Sequence, residues 1–342
     1  MKMNRIYIWL VFAVALLTSC DNQDNDFPDF DYQTVYFANP YYIRTLILGN
    51  DLFSDNSKDN EHKFEIKATM GGVYSNNKNR IIDFTVDESL CENLYFSDGN
   101  PVILMPSAYY RLSSNQITIP SGKTMGGVEV QLTDAFFEDP KSLVNTYVIP
   151  LVMNNVQGAD SILQGKPQVD NPDRCVNGDW TVLPQDFVLC GVKYINPWHA
   201  NYLRRGIDQI TNDNGSSINI RHEQYVERDE EVYIHTNSLT QSTLPITIQD
   251  SNGKSIILNL FLSFDGEGSC TVSGDTDSYE ITGSGKFISK GEKNSMGGKD
   301  RDALYLDYNV DFKDQNLKYA TKDTLVVKGR GVIPEYFTVV RK

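Results

Sequence analysis

The first half of the chain alternates apolar and polar residues with a period near two. The apolar positions are rich in β-branched and aromatic side chains, and turn signals separate the runs. Helical periodicity is nearly absent. The pattern predicts about six or seven short strands in an antiparallel β-sandwich. The clearest runs are 35–37, 64–68, 82–86, 116–119, 128–132 and 147–152.

The second half of the chain has longer alternating runs. They lie at 256–264, 279–287, 304–312 and 324–328. Residues Ser251 to Lys254 contain an Asn-Gly pair and predict a hairpin turn. A meander of about eight such strands can close into a barrel and so remove its own edges. We therefore expect an all-β chain, with a β-sandwich followed by an antiparallel β-barrel.

A break in composition separates the two halves. Residues 164–174 hold two prolines and only one large apolar residue, Val169, which is typical of a linker. About 320 residues also exceed what a single core usually serves. Residues 21–31 are similarly poor in large apolar side chains and are predicted to be a tether. The predicted organisation is a leader at 1–20, a tether at 21–31, a sandwich at 32–165, a linker at 166–174 and a barrel at 175–342.

One segment of the second half, residues 196–210, is predicted to be a short helix. Asn196 suits the N-cap and Pro197 suits the first turn. In a helix, Trp198, Tyr202 and Arg205 would lie on one face. We expect this helix to plug or cover one end of the barrel.

Several short sequence motifs in the first half resemble those of a known domain and follow each other in the same order. They are Gly71-Gly72-Val73-Tyr74, Phe84-Thr85-Val86-Asp87, and the stretches 105–110, 119–122 and 146–151. Residues 32–165 resemble domain of unknown function 1735 (DUF1735), an immunoglobulin-like sandwich of Bacteroidetes surface lipoproteins. The second half resembles the lipocalin-like C-terminal domains that often follow it. The resemblance implies a surface lipoprotein that works beside SusC-like and SusD-like glycan-uptake proteins.

The N-terminus has the pattern of an export signal. Lys2 and Arg5 precede an apolar run at 6–17, which is too short to span a bilayer. The run ends in Leu17-Thr18-Ser19-Cys20, which resembles a bacterial lipobox with Cys20 as the lipidated residue. Acidic residues directly after Cys20 resemble the signal for the outer face of the outer membrane. We expect anchorage there through Cys20, with the inner leaflet as the alternative.

The charge of the chain limits its partners. The formal net charge is −14, and loss of Lys2 and Arg5 with the leader takes it to −16. Such a surface repels nucleic acids and anionic lipids, so attachment must come from the lipid anchor. The other four cysteines contain no C-x-x-C pair, which argues against a zinc ribbon or a thioredoxin-like site. Buried free thiols are favoured, and a Cys175–Cys190 disulfide is the alternative.

Several apparent motifs do not meet the requirements of their chemistry. Residues 283–287 imitate a phosphate loop but lack its first glycine and its hydroxyl residue, so a bulged strand with a glycine bend is the better interpretation. Asp275-Thr276-Asp277 begins like a calcium loop but lacks the glycine and the final glutamate, which leaves only an isolated calcium ion as an alternative. The four histidines show no ligand spacing, and residues 175–342 lack the alternating helices of a glycosidase barrel. We expect no catalytic residues, no metal site and no cofactor.

Carbohydrate recognition is the function that the remaining residues favour. Proteins bind sugars with exposed aromatic rings flanked by polar side chains. We therefore predict a non-catalytic glycan-binding lipoprotein with an oligosaccharide or polysaccharide as partner. A structural or adhesive protein and an unrecognised glycoside hydrolase are the alternatives. The predicted platform is Trp198, Tyr202 and Arg205, with Trp180, Tyr194, Asn196, His199 and Arg204 around it, unless these residues belong to the barrel core.

Overall fold

The computed structural model describes residues 30–274 and 278–342. The short helices are α1 (Ser57–Asn60) and α2 (Asp134–Glu138). The strands up to the barrel are β1 (Thr34–Tyr36), β2 (Tyr41–Ile47), β3 (Lys63–Gly71), β4 (Arg80–Val86), β5 (Leu94–Phe96), β6 (Ile103–Leu104), β7 (Tyr110–Leu112), β8 (Gln116–Ile119), β9 (Met125–Leu132), β10 (Tyr147–Gln157), β11 (Ser161–Ile162), β12 (Lys166–Pro167), β13 (Trp180–Val182) and β14 (Phe187–Ile195). The strands that follow are β15 (Ala200–Asn212), β16 (Gly215–Arg221), β17 (Glu230–Thr236), β18 (Gln241–Gln249), β19 (Ser255–Phe264), β20 (Ser269–Ser273), β21 (Glu280–Glu292), β22 (Arg301–Phe312), β23 (Leu317–Gly329), β24 (Glu335–Tyr336) and β25 (Val339–Arg341).

The first domain is a two-sheet sandwich, as the alternation predicts. One sheet has the order β11-β1-β3-β9-β7, and the other has β24-β2-β14-β10-β4-β8 with β6 beside β10. Inward-facing residues of both sheets share one core, for example Val35 and Ile66 from the first and Leu46 and Ile149 from the second. All six runs predicted as strands fall in or beside strands of this domain.

The sheet topology places the boundary between the domains after β14, later in the chain than predicted. β14 was placed in the barrel by composition, yet it pairs in parallel with β2 from Leu189↔Tyr41 to Ile195↔Ile47, inside the second sandwich sheet. After the barrel the chain returns, so that β24 pairs with β2 and β25 pairs with β5. The polar stretch at 166–174 is thus a surface segment of the first domain rather than a linker. Low apolar content is common to both kinds of segment, so composition alone does not separate them.

The second domain is a closed antiparallel barrel. Eight strands run in the order β15-β17-β18-β19-β20-β21-β22-β23, and β23 pairs with β15 to close the ring. The glycines of the apparent phosphate loop face its core. A Cβ at Gly283 would lie 2.4 Å from Cβ of Tyr308, and a Cβ at Gly285 would lie 2.5 Å from Cδ2 of Leu306. The bulge of this strand lies further on, between Ile288 and Glu292.

The predicted helix at 196–210 is wrong, because Ala200 to Asn212 form strand β15. This strand pairs with β23 along most of its length and with β17 and β16 on its other edge. Pairing on both edges outweighs the local signals that favour a helix. Within the described residues, no helix is long and apolar enough to cross a bilayer.

The two domains meet around Arg330, just after the barrel closes. Its side chain is buried and donates to the carbonyl oxygens of Leu48 and Asn50 in the sandwich, at 2.9 Å each. It also donates to the carbonyls of Asn196 at 2.5 Å and His199 at 2.7 Å, where the chain enters the barrel. One guanidinium therefore satisfies backbone acceptors from both sides of the junction.

Candidate functional site

Trp198 and Tyr202, the centre of the predicted sugar platform, lie in the barrel core. The Trp198 ring stacks on Phe264, with centroids 3.8 Å apart and planes 5° from parallel. Tyr202 is fully buried, and its hydroxyl donates to the carbonyl of Trp198 at 2.7 Å. Neither ring is available to a sugar, so this part of the prediction is wrong. Trp198 and Tyr202 both point into the barrel core, because every second residue of an extended chain faces the same side. In a helix they would instead have shared an exposed face.

Asn196, Tyr194 and His199 also have structural roles. The Asn196 amide donates to the carbonyls of Ser238 and Gln241 at 2.9 Å, while its oxygen accepts the backbone N–H of Trp198. The Tyr194 hydroxyl donates to the carbonyl of Phe137 at 3.0 Å.

The His199 ring is held in its neutral form. Its Nδ1 accepts the N–H of Thr236 at 3.1 Å, so the proton of the neutral ring lies on Nε2, which contacts the Tyr233 hydroxyl. Burial, helped by the charge of Arg330, lowers the pKa of His199 to about 3. The ring is therefore uncharged near neutral pH.

The two predicted arginines are engaged in ion pairs. Arg204 is buried, and its Nε donates to Oδ2 of Asp323 at 2.9 Å while Nη2 donates to the Tyr308 hydroxyl at 3.0 Å. Arg205 lies on the other face of the strand and donates from Nε to Oδ2 of Asp229 at 2.6 Å. The eight predicted residues therefore do not form an exposed platform.

A cleft of about 550 Å³ lies on the first domain, away from the predicted platform. Its walls come from the 174–187 segment and from the returning strand β25, and Leu183 and Val340 are each about half exposed there. The buried Phe187 and the half-buried Tyr41 lie deeper, with their rings packed edge to face at 5.6 Å. An apolar cleft of this size with a few polar groups is the usual form of a small-ligand site.

Two arginines on the cleft are each fixed by a carboxylate. Arg174 donates from Nη2 to Oδ2 of the buried Asp186 at 2.8 Å and from Nε to Oδ1 at 3.1 Å. Arg341 donates from Nε and Nη2 to the two oxygens of Asp173, at 2.7 and 2.9 Å. Burial acts to raise the pKa of Asp173, but the bonds from Arg341 and from the Cys175 N–H outweigh it and lower the pKa. This carboxylate is an ionised acceptor at neutral pH and has no proton to give.

The cysteines of the described residues are all buried free thiols, which confirms the favoured interpretation. Cys175 lines the cleft, whereas Cys190 faces the sandwich core on the other side of the sheet. Burial, followed by the charge of Asp173, raises the pKa of Cys175 to about 11. A protonated thiol is a poor nucleophile, so Cys175 contributes packing rather than reactivity.

Of the predicted platform, only Trp180 lies near this cleft. Its indole N–H donates to the carbonyl of Asp173 at 2.7 Å, and its ring is partly exposed. Among residues 30–274 and 278–342, no three His, Cys, Asp or Glu side chains are grouped to hold a metal ion. The calcium-like string at 275–277 and the lipidation residue Cys20 lie outside the described residues.

Comparison with known proteins gives a relative that matches along most of the chain. A crystal structure of a protein of unknown function from Bacteroides ovatus shares 57% sequence identity and a TM-score of 0.85, and the match covers 92% of this chain and 100% of that one. The chain belongs to the same family as that protein. In this chain, residues 197–331 match a domain of unknown function (DUF5627), and residues 30–160 match a family model described as an N-terminal domain.

Two other solved structures are more distant. One is an auxiliary nutrient binding protein from Bacteroides thetaiotaomicron, with 13% identity, a TM-score of 0.38 and coverage of 83% of this chain and 90% of that one. The other is a multidomain protein including DUF1735 from Bacteroides ovatus, with 12% identity, a TM-score of 0.38 and coverage of 85% and 91%. No curated protein matches the chain.

The cleft was missed because three distant segments build it. Tyr41 comes from β2, Arg174 and Leu183 from the predicted linker and the residues after it, and Val340 from the last strand. Nothing local in the sequence joins them. The aromatic and β-branched residues from Phe337 to Val340 are the one signal that the C-terminus forms a strand.

Proposed function

We propose that this protein is an outer-membrane lipoprotein, anchored through Cys20, that binds a carbohydrate in the cleft and breaks no bond in it. The observation that carries the proposal is the combination of apolar walls with a hydrogen-bonding rim. Leu183 and Val340 offer apolar surface to the C–H face of a sugar. Asn177, Gln185 and Thr338 add amide and hydroxyl groups for sugar hydroxyls. The predicted platform at Trp198 has no part in this site.

The carboxylates next to the cleft are ion-paired with arginines, which supports binding of a sugar rather than its hydrolysis. Glycosidases of the common types need one carboxyl group that keeps its proton near neutral pH. Asp186 and Asp173 lie behind the cleft wall, where each is paired with an arginine that lines the cleft, and the pKa of Asp173 is lowered. Neither carboxylate has the surroundings of a general acid.

The proposed location rests on the sequence at Cys20 and on the resemblance to lipoproteins encoded beside glycan-uptake systems. A surface position beside a SusC-like and SusD-like importer would place the cleft where oligosaccharides arrive. The lipid supplies the attachment because the chain without its leader, with a net charge of −16, is repelled by anionic headgroups.

The test uses residues 21–342 on a glycan array, followed by titration calorimetry with the best ligand. Leu183→Glu and Val340→Glu place a charge on the apolar walls and should weaken binding at least about tenfold, the scale of removing one well-packed interface contact. The control is Ile257→Glu, which places the same charge on an isoleucine of the barrel that is 72% exposed and lies away from the cleft. Equal affinity in all three variants would refute the cleft as the site.

A second candidate function is favoured by β16. Among the described strands, β16 pairs only with β15, which leaves its other edge open. It exposes Ile218 at 71% and Ile220 at 60%, and from Gly215 to Ile220 it contains neither proline nor charge to block edge pairing. An extended segment of a partner protein could add a strand here, as an adhesive or structural protein would require.

A photo-reactive amino acid at position 218 tests this second function in cells. Covalent products with a protein partner at position 218, but not at the control position 257, are the expected result. Equal labelling at the two positions would exclude the edge as a docking strand.

A further inference from the structure

Three exposed aromatic side chains gather where the chain enters the sandwich. Phe30, Tyr32 and Tyr74 are 64%, 61% and 62% exposed. The Phe30 and Tyr74 rings stack with centroids 6.1 Å apart and planes 28° from parallel. We call these three residues the aromatic patch. Large exposed apolar groups that cluster mark an interaction surface more often than single ones do.

The patch is held on the body of the domain. β1 pairs with β3 up to Thr34↔Gly71, which brings the chain entry beside the turn that carries Tyr74. At Gly72 the φ angle is +79°, and a Cβ there would lie 2.1 Å from the carbonyl oxygen of Tyr32. The two segments that carry the rings therefore contact each other through their backbones.

The length of chain before the patch limits how far it lies from the lipid. Phe30 follows Cys20 by ten residues. Ten residues span at most about 36 Å when fully extended. With Cys20 in the membrane, the patch lies within about 36 Å of it and so can reach the membrane surface.

We propose that the aromatic patch seats in the interface between headgroups and acyl chains of the membrane that holds Cys20. The inference rests on the anchorage in the proposed function. Phe buries its ring, and Tyr places its ring in the apolar layer with its hydroxyl among the headgroups, which is why such residues are enriched at membrane interfaces. The neighbouring charge is acidic, at Asp31, so the contact depends on ring burial rather than on attraction to anionic lipid.

The test separates docking of the patch from native lipidation. Residues 20–342 are coupled through the Cys20 thiol to a maleimide lipid in phosphatidylcholine vesicles. The four cysteines of the described part are buried, which favours reaction at Cys20. A fluorescent amino acid at position 75, beside Tyr74, is then quenched by nitroxide-labelled lipid. Failure of native lipidation would show separately, as absence of a palmitate label on Cys20 in cells.

The expected result is strong quenching in the parent and a severalfold loss of quenching in Phe30→Ser/Tyr32→Ser/Tyr74→Ser. The matched control, Phe53→Ser/Tyr225→Ser/Tyr336→Ser, removes three other aromatic rings that are 75%, 54% and 64% exposed and should keep the parent's quenching. An unchanged melting temperature of the patch variant shows that it is folded. Equal quenching in the parent and the patch variant would overturn the proposal. Loss of polysaccharide binding in the patch variant, without loss of quenching, would instead assign the rings to sugar.

Discussion

Arg330 donates a hydrogen bond to the carbonyl oxygen of Leu48 across the junction of the two domains, at 2.9 Å. The two residues are separated by 282 positions, and no carboxylate makes a hydrogen bond with the buried guanidinium in the described structure. Its hydrogen bonds go to backbone carbonyls, while the carboxylates of Asp51 and Asp302 act on its charge from further away. This side chain therefore links backbone acceptors of the sandwich to those where the chain enters the barrel.

Replacing Arg330 by Met should destabilise the protein by roughly 2–4 kcal/mol, because it leaves buried carbonyls unsatisfied. Arg330→Lys should recover part of the loss, since an ammonium reaches fewer of these acceptors. Chemical unfolding measures both variants. Arg228→Met, at an exposed arginine, serves as the control and should change stability little. A loss no larger at Arg330 than at Arg228 would contradict the assigned role.

Trp198→Ala should lower the free energy of unfolding by about 3–5 kcal/mol, because it opens a cavity against Phe264. Carbohydrate affinity, measured by calorimetry under conditions where the variant is folded, should stay at the parent's value. Tyr225→Ala, at a ring that is 54% exposed, is the control for stability. A stable Trp198→Ala variant with weakened sugar binding would restore the platform.

Removing residues 332–342 should destabilise the sandwich and leave the barrel intact. The deletion takes away β24, β25 and the Arg341–Asp173 ion pair, all of which lie on the first domain. The fluorescence of Trp180 follows unfolding of the sandwich, and that of Trp198 follows unfolding of the barrel. A Trp198→Phe variant keeps only the sandwich signal, and a Trp180→Phe variant keeps only the barrel signal. Equal loss of stability in both backgrounds would argue against this division.

Acidification should destabilise the protein partly through His199. In the unfolded chain its pKa is near 6.5, whereas in the folded chain it is about 3. Between these values the unfolded state binds the additional proton, so stability falls as pH drops from about 6.5 towards 3. His199→Gln should flatten the fall in urea midpoint between pH 7 and pH 4.5, and the exposed control His222→Gln should not. An unchanged pH dependence in His199→Gln would show that other groups carry it.

The sequence predicted those strands that have one buried face and one face exposed to water. Runs such as β9 and β19 alternate because one face meets the core and the other meets water. β14 was not recognised, because it is buried along nearly its whole length and reads as a continuous apolar run. The capping residues Asn196 and Pro197 predict a helix where β15 lies, although Asp213-Asn214-Gly215 and the alternating residues after it are a hairpin signal.

The candidate site could not be predicted in the same way. The cleft depends on β25 pairing with β5, which brings Val340 opposite Tyr95 across more than two hundred residues. Periodicity describes neighbours along the chain, whereas such contacts exist only after the chain has returned. The predicted aromatic cluster failed for the opposite reason, because residues close in sequence, such as Trp198 and Arg205, lie on different faces of the barrel wall.

The parallel pairing of β2 with β14 has a consequence for the order in which the molecule is completed. β2 emerges early from the ribosome and from any export channel, but its neighbours in the sheet are β14 and β24, which emerge much later. The barrel, built from consecutive antiparallel strands, has all its pairings within residues 200–329 and can form as soon as that segment is free. We therefore expect the domain that is made first to be finished last, with its sheet held open until the final residues of the chain arrive.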